Sequence, residues 1–297
     1  MSKEFKEDIG QLPKFKVDYW TTSKCDMECI GCYGPVLPTT PEMNFKEFQN
    51  VFLKLKMAGA DFVTLSGGEP FKKPEIVRII RFLDNINFKI NLSTNGTQLM
   101  ENYSNIAKHV QKISLPLDGS TQGINEKVGR REYHFGNITN ILKFFKDKNP
   151  KHLVKVGTVV SKLNISDIEN IGNYLFHNEN IYKPNDWRLY QFYPINNPAR
   201  AIANKETLEI TNEDFFLTSN KMRNLFPEAC ITVRPANEEY YQYLFITPDG
   251  YIQITKGYEN RAKLDLINST QKTLEEIIKS NQEIVNKTIN KYSQQIF

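Results

Sequence analysis

The chain has 297 residues, of which 40% are hydrophobic, and carries a net charge of +4. This length and composition allow a sizeable core and argue against a disordered chain. The charge permits an anionic substrate but lacks the dense basic stripe of a protein that binds nucleic-acid polymers. No segment reaches the roughly 20 apolar residues of a membrane span, and the charged start MSKEFKEDIG is unlike a secretory signal. We therefore expect a cytoplasmic protein with no membrane partner.

Short apolar runs alternate with longer helical patterns, which predicts βα units around a mainly parallel sheet. The predicted strands are VDYWTTS (17–23), DFVTLS (61–66), FKINLS (88–93), KISLPL (112–117), LVKVGTVV (153–160) and WRLYQFYP (187–194). Apolar spacing predicts helices near 45–55, 76–83, 98–108, 137–148 and 165–177. Six such strands predict an α/β fold, a partial (β/α)6 barrel, whose chemistry gathers at the carboxyl ends of the strands.

The pattern changes after the sixth strand, which divides the chain into an N-terminal segment (1–16), a barrel core (17–197) and a smaller C-terminal extension (198–297). The stretch ITPDGYIQIT (246–255) predicts a hairpin with a Pro-Asp-Gly turn. Apolar residues between 274 and 289 predict one amphipathic terminal helix. No low-complexity linker separates these parts, so we expect one barrel with an extension.

Three cysteines, Cys25, Cys29 and Cys32, follow the first strand in a C-x3-C-x2-C arrangement. A disulfide would leave one thiol over, and so short a spacing rarely gives bridge geometry. A structural zinc site needs a fourth ligand, which only the distant Cys230 can supply; otherwise Cys230 is expected to be a packed thiol. An iron-sulfur cubane accepts three thiolates and leaves one iron open. The pattern therefore favours an iron-sulfur cluster over zinc.

Three further motifs follow the second, third and fourth strands: SGGEP (66–70), STNG (93–96) and SLPLDGS (114–120). Together with the cysteine motif, in this order, they resemble the radical SAM superfamily over roughly residues 17 to 195. Each motif has a plainer interpretation as a turn, and Asp118 as a turn or helix cap.

The resemblance implies a 4Fe-4S cluster on the three cysteines, with S-adenosylmethionine (SAM) on the open iron. It implies that Glu69 accepts a hydrogen bond from the SAM amino group, and it assigns SAM contacts to Gly67, Gly68, Glu69, Ser93, Asn95 and Ser114. It also implies reductive cleavage of SAM to a 5′-deoxyadenosyl radical, which takes a hydrogen atom from a substrate, and an electron donor of the flavodoxin or ferredoxin type. The family usually has an aromatic residue before the third cysteine, near the adenine, where this chain has Gly31.

Pleating of the fifth strand indicates the substrate class. Val154 and Val156 share a face suited to the helices, which leaves Lys155 and Gly157 on the face toward the barrel interior. A lysine in that place suggests an anion, which Arg130 and Arg131 could also bind. The plainer interpretation is a snorkelling lysine and solvated arginines. Gln191 on the sixth strand is another interior candidate, with no preference among sugars, bases and peptides.

Within the superfamily the chain resembles viperin and its prokaryotic relatives in its GRR turn (129–131), Lys155, the segment WRLYQF and the C-terminal hairpin. That resemblance implies a nucleotide or other anionic small-molecule substrate. Two features depart from the pattern: Phe62 stands where those proteins have a phosphate-binding lysine, and the tail NKYSQQIF lacks their basic segment. The alternatives are a peptide-modifying radical SAM enzyme and a non-catalytic protein that senses through its cluster and SAM.

Overall fold

Ten strands form a single sheet in the computed structural model, which describes residues 14–34, 41–194, 199–237, 242–257 and 259–293, the last five by backbone only. The strands are β1 (Phe15–Trp20), β2 (Ala60–Ser66), β3 (Lys89–Ser93), β4 (Lys112–Pro116), β5 (Leu153–Val160), β6 (Asp186–Gln191), β7 (Ile231–Arg234), β8 (Gln242–Ile246), β9 (Tyr251–Lys256) and β10 (Glu259–Asp265). Their order across the sheet is β10-β9-β8-β1-β2-β3-β4-β5-β6-β7. All pairs from β1 to β7 are parallel.

Helices follow most of the parallel strands and pack against the sheet, and two more follow the last strand. They are α1 (Phe45–Met57), α2 (Ile76–Asn85), α3 (Leu99–Ile106), α4 (Gln122–Lys127), α5 (His134–Lys148), α6 (Ile168–His177), α7 (Ala199–Ala203), α8 (Lys205–Leu208), α9 (Asn212–Leu225), α10 (Gln271–Ser280) and α11 (Gln282–Ser293). The side chain of Asn44 caps α1 and that of Glu47 bonds back to the Asn44 backbone, which satisfies exposed amides at the start of the helix. The predicted α/β class with a partial barrel is confirmed.

The six predicted strands are all present, with small shifts at their ends. The largest shifts are at the ends of the first and sixth strands, since β1 ends at Trp20 and not at 23, and β6 ends at Gln191 and not at 194. The predicted hairpin is also present: β8 and β9 pair antiparallel around a turn in which Gly250 has a φ of +88°. That left-handed conformation suits glycine because it has no Cβ.

The C-terminal part differs from the expectation in two ways. The predicted terminal helix is two helices, α10 and α11, separated at Asn281, whose amide caps α10. The sequence also gave no indication of β7 and β10. The strands β7 and β8 extend the barrel sheet itself, beside β6 and β1 respectively.

The division of the chain into three regions stays a prediction. Its first boundary falls inside β1, since Phe15 and Lys16 are already strand, while residues 1–13 lie outside the described residues. The boundary at 197 and the last four residues of the tail NKYSQQIF also lie outside them. No helix in the described ranges is long and apolar enough to cross a membrane.

The inner face of the sheet surrounds a cavity of about 610 Å³. Strand β5 shows the arrangement: Val154 and Val156 are fully buried under the helices, whereas Lys155 and Gly157 line the cavity. The pleating of this strand thus predicted the correct faces. Because side chains from strands across the sheet line the same space, the sheet curves around it as a partial barrel.

Candidate cluster and substrate site

The loop after β1 brings Cys25, Cys29 and Cys32 to the wall of the cavity. Backbone amides point at two of the sulfurs: Met27 donates to Cys25 Sγ at 3.4 Å, and Gly34 donates to Cys32 Sγ at 3.3 Å. Burial raises the pKa of the Cys29 thiol to about 11. Three thiols that face one space, with amides directed at them, fit the ligand set of an iron-sulfur cluster.

The described residues give no support to a single zinc ion in this loop. In the described part of the chain, no three His, Cys, Asp or Glu side chains are close enough to share one metal ion, as thiolates about 2.3 Å from zinc must be. A cubane spreads its thiolates over separate irons and needs no such convergence. Cys230 cannot be the fourth ligand, because its carbonyl accepts from Trp187 at the amino end of β6, whereas the cysteine loop leaves the carboxyl end of β1. The expectation that Cys230 is packed was also wrong, because it is exposed.

The paired glycines after β2 lie directly against the backbone that leads into the cysteine loop. A Cβ on Gly68 would lie 2.1 Å from the Lys24 carbonyl oxygen, and one on Gly67 would lie 2.6 Å from the Thr22 carbonyl oxygen. The amide of Gly68 donates to Thr22 at 2.8 Å, and the amide of Glu69 donates to Lys24 at 2.8 Å. The close backbone approach that the glycines permit is therefore to the cysteine loop, while both glycines also line the cavity.

Glu69 lies behind the cavity wall and is fully buried. Its carboxylate accepts hydrogen bonds from Thr94 Oγ1 at 2.6 Å and from the Asn95 amide at 2.7 Å. Burial raises the pKa of this carboxyl to about 7. These bonds tie the carboxylate to the turn after β3, and its expected contact with the SAM amino group stays a prediction. Glu69 thus links the SGGEP and STNG motifs and fixes their relative position.

The other three expected SAM contacts, Ser93, Asn95 and Ser114, all line the cavity. The side-chain amide of Asn95 donates to the Asp26 carboxylate in the cysteine loop at 2.7 Å. Ser114 donates to Asn91 on the neighbouring strand at 2.9 Å. Polar groups of β3 and β4 thus face the same space as the three thiols, which is the arrangement that a bound SAM requires.

Gly31 leaves a gap in the cysteine loop that another aromatic ring fills. A Cβ on Gly31 would lie 3.2 Å from Phe192 and 3.3 Å from Leu208. Both side chains line the cavity and pack in one apolar cluster with Ile30. The aromatic group that the loop lacks is therefore supplied by the residue that follows β6.

We expect Gly31→Phe to destabilise the protein by about 1–3 kcal/mol, because its ring would overlap Phe192. Phe192→Ala alone should cost about 3–5 kcal/mol, since Phe192 is buried. The double variant should lose clearly less than the sum of the two, because one ring then occupies the space. Denaturant unfolding of the four proteins measures this. Purely additive losses would contradict the shared space. The control is Gly31→Phe combined with Phe216→Ala at an exposed site, where the two losses should simply add.

The two arginines of the GRR turn have different surroundings. Arg130 lines the cavity, where it donates to Asp118 through Nε at 3.0 Å and Nη2 at 2.7 Å. Arg131 lies outside the cavity, half-exposed, and donates to the Asp26 carbonyl at 3.0 Å. The expectation of a substrate contact for Arg131 was therefore wrong; it braces the cysteine loop from outside.

Gln191 also lines the cavity. Its side-chain amide donates to the Ile210 carbonyl and accepts from the Ala236 backbone amide, and so it ties β6 to the C-terminal part.

Three cations, Lys112, Lys155 and Arg188, line the end of the cavity opposite the cysteine loop. They lie toward the amino ends of β4, β5 and β6. Lys155 donates to the Tyr190 hydroxyl at 3.0 Å, and Arg188 donates to Asp186 at 2.8 Å. Burial, together with the charges of Lys155 and Arg188, lowers the pKa of Lys112 to about 8. Such mutual repulsion marks a site that an anion would stabilise. Phe62 is not part of the wall; lysines of β1, β4 and β5 line the cavity instead.

Sequence reasoning found Lys155 but missed Lys112, Arg188 and Tyr190. The signal was available in the alternation of β4 and β6, where Lys112 shares a face with Ser114 and Arg188 shares a face with Tyr190. Overall, seven lysines and arginines line the cavity against three carboxylates. The cavity is thus strongly electropositive before any cofactor is considered.

The family model described as the radical SAM superfamily matches residues 20–175, just over half of the chain. An S-adenosylmethionine-dependent nucleotide dehydratase of Lacinutrix mariniflava is 23% identical over 276 residues, which cover 86% of this chain and 53% of that protein. A dehydratase of the same name from a Thermoplasmatales archaeon is 22% identical over 240 residues, 80% of this chain and 82% of that one. The chain thus spans about half the length of the Lacinutrix relative.

Among solved structures, Streptococcus suis SuiB bound to S-adenosylmethionine has a TM-score of 0.70 at 14% identity, covering 90% of this chain and 65% of that one. SuiB has also been solved with its precursor peptide SuiA. At this identity the likeness shows the fold alone. The match of the family model, on the segment that carries the cysteine loop and the glycine pair, shows that the chain belongs to the radical SAM superfamily.

Proposed function

We propose that this protein is a radical SAM enzyme that acts on an anionic small molecule, most favourably a nucleotide. One observation carries the proposal: the same cavity has the three cysteines beyond the carboxyl end of β1 and the cation group of Lys112, Lys155 and Arg188 at its far end, toward the amino ends of their strands. A substrate held by its anionic group at the far end would extend toward the cluster. The names of the two nucleotide dehydratase relatives support the choice of a nucleotide.

The chain's own residues would hold the cofactors as follows. Cys25, Cys29 and Cys32 would ligate three irons, and polar groups of the turns after β2, β3 and β4 would surround SAM on the fourth. When bound, the cluster and SAM supply a carbon radical that takes a hydrogen atom from the substrate. The protein positions the target bond and keeps water out of the barrel, which is the contribution expected of a cofactor enzyme. An electron donor of the flavodoxin or ferredoxin type and a cytoplasmic location stay predictions.

Turnover by the anaerobically reconstituted protein tests the proposal. With dithionite as reductant, 5′-deoxyadenosine should form faster with a nucleoside triphosphate than with the corresponding nucleoside, because only the former has the anion. Faster formation with a peptide and none with nucleotides would favour the peptide-modifying alternative; SuiB, which has a similar fold, has been solved with a precursor peptide. Iron and SAM binding without cleavage under any reductant would favour a sensor.

Removal of the Lys155 charge should weaken nucleotide binding about tenfold to a hundredfold. The reason is that a hydrogen bond to a charged group contributes about 1.5–3 kcal/mol. Calorimetry on Lys155→Ala, with a nucleoside triphosphate as probe, measures the change. Lys272→Ala is the matched control, because its side chain is 86% exposed on α10, outside the cavity. Equal losses in the two variants would contradict anion binding at the far end.

A further inference from the structure

Tyr190 occupies the centre of the cation group at the far end of the cavity. Its hydroxyl accepts a hydrogen bond from Lys155 Nζ at 3.0 Å, and the charge of Arg188 on the same strand acts on the same group. Its side chain is only partly buried and forms part of the cavity wall. The phenol oxygen thus contacts one of the cations that an anionic substrate would use and lies within the field of a second.

The neighbouring strand provides the space for the ring. Gly157 lies opposite Arg188 in the register of β5 and β6, and a Cβ on Gly157 would lie 3.2 Å from Cε2 of Tyr190. The ring of Tyr190 therefore lies over Gly157, the one residue of β5 without a side chain. Its hydroxyl reaches Lys155, two residues earlier on the same strand. A larger residue at 157 would push the phenol away from the cations.

The ionisation of Tyr190 responds to this environment. Burial alone would raise its pKa, but Lys155 and Arg188 outweigh that effect and lower the pKa to about 8. The charged or titratable groups that face the phenol or its immediate neighbours come from six strands and the cysteine loop: Lys155, Arg188, Asp186, Lys112, Tyr243, Arg234, Asp18 and Tyr33. Asp186 opposes the shift, but its carboxylate is bound to Arg188 and Thr232.

We propose that Tyr190 is a specificity-determining residue of the anion site: its protonated hydroxyl donates a hydrogen bond to a bound phosphate group, whereas its ionised form takes the place of that phosphate between Lys155 and Arg188. Binding of the anion is therefore coupled to protonation of Tyr190. The proposal rests on the proposed function, because it takes the cation group to be the place of the substrate's anion.

The coupling has a definite sign. A phenolate next to the cations competes with the incoming anion, so affinity is highest below the pKa of Tyr190 and falls as the pH rises through it. Between about pH 7 and about pH 9, one group with a pKa near 8 that must be protonated reduces affinity about tenfold. Lys112 also titrates near this pH and loses its charge in the same direction, so the two contributions must be separated.

Binding of inorganic tripolyphosphate to the reconstituted holoenzyme, measured by calorimetry across this pH range, tests the proposal. Ionisation of the probe and of Lys112 is common to the wild-type protein and to Tyr190→Phe. We therefore expect the wild type to lose about tenfold more affinity than Tyr190→Phe over the range. Binding near pH 8 should also take up more protons in the wild type, and should reduce its near-ultraviolet phenolate absorbance, which Tyr190→Phe does not show.

Two further variants sharpen the test. Tyr243→Phe should keep the wild-type pH dependence, because burial raises the pKa of that cavity tyrosine and keeps it protonated. Gly157→Ala should shift the pH at which affinity falls, with the phenol still present, because the ring must move by a few tenths of an ångström relative to Lys155. If tripolyphosphate binds and Tyr190→Phe shows the wild-type pH dependence, this inference is wrong and the proposed function stands. If it binds at no pH, the anionic substrate is wrong as well.

Discussion

Replacement of Cys32 with alanine is expected to abolish assembly of the cluster. The variant should bind far fewer than the about four irons of a complete cubane, stay nearly colourless after anaerobic reconstitution, and form no 5′-deoxyadenosine. The reason is that Cys32 lines the cavity together with Cys25 and Cys29, and the remaining two thiols are one too few for a cluster held by three cysteines.

Cys230→Ala is the matched control for this experiment. It removes the same thiol group, but from an exposed site at the amino end of β6, at the other end of the barrel. We expect full iron content and unchanged cleavage of SAM. Equal iron loss in both variants, or one zinc per chain and no sulfide in the wild type, would overturn the assignment of the cysteine loop as the cluster site.

Gly68→Ala is expected to prevent cluster assembly without removing any ligand. The added methyl group would lie 2.1 Å from the carbonyl oxygen of Lys24, which belongs to backbone and cannot turn aside. The loop that begins at Cys25 must then move away from β2, and it loses the bond from Glu69 to Lys24. We expect a loss of about 3 kcal/mol or more in the free energy of unfolding, together with low iron content after reconstitution.

The control for that substitution is Gly136→Ala in the first turn of α5, where an added Cβ meets nothing within 4 Å. Alanine there should leave the free energy of unfolding unchanged or raise it by up to about 1 kcal/mol, with full iron content. A Gly68→Ala protein that unfolds like this control and assembles its cluster would show that the close approach of the two loops is not required.

Short-range signals predicted the barrel strands correctly and picked out three cysteines that line one cavity. The run LVKVGTVV alternates in a way that only one orientation of β5 can satisfy, because one face must be buried under helices, and so the position of Lys155 followed from the sequence. The cysteine spacing and the glycine pair were visible for a similar reason: a loop that binds a cluster needs particular residue types within a few positions. The short strand β7 and the edge strand β10 carry weaker patterns, and neither was predicted.

The roles of Glu69 and Arg131 could not be predicted from the sequence, since both depend on which loops lie side by side. Glu69 faces the turn after β3, about 25 positions away in the chain, and Arg131 faces the cysteine loop, about 105 positions away. A motif indicates which residue types are present; the partner of each polar group is decided by packing.

By itself the sequence determined the α/β class, the six barrel strands, and the cysteine motif with the superfamily that it indicates. Only the tertiary structure decided that Phe192 fills the gap at Gly31 and that Lys112, Arg188 and Tyr190 join Lys155 in one cation group. The physical reason is the curvature of the sheet. Residues on different strands have no sequence relation to one another, and they become neighbours because parallel strands align and curve around a common interior.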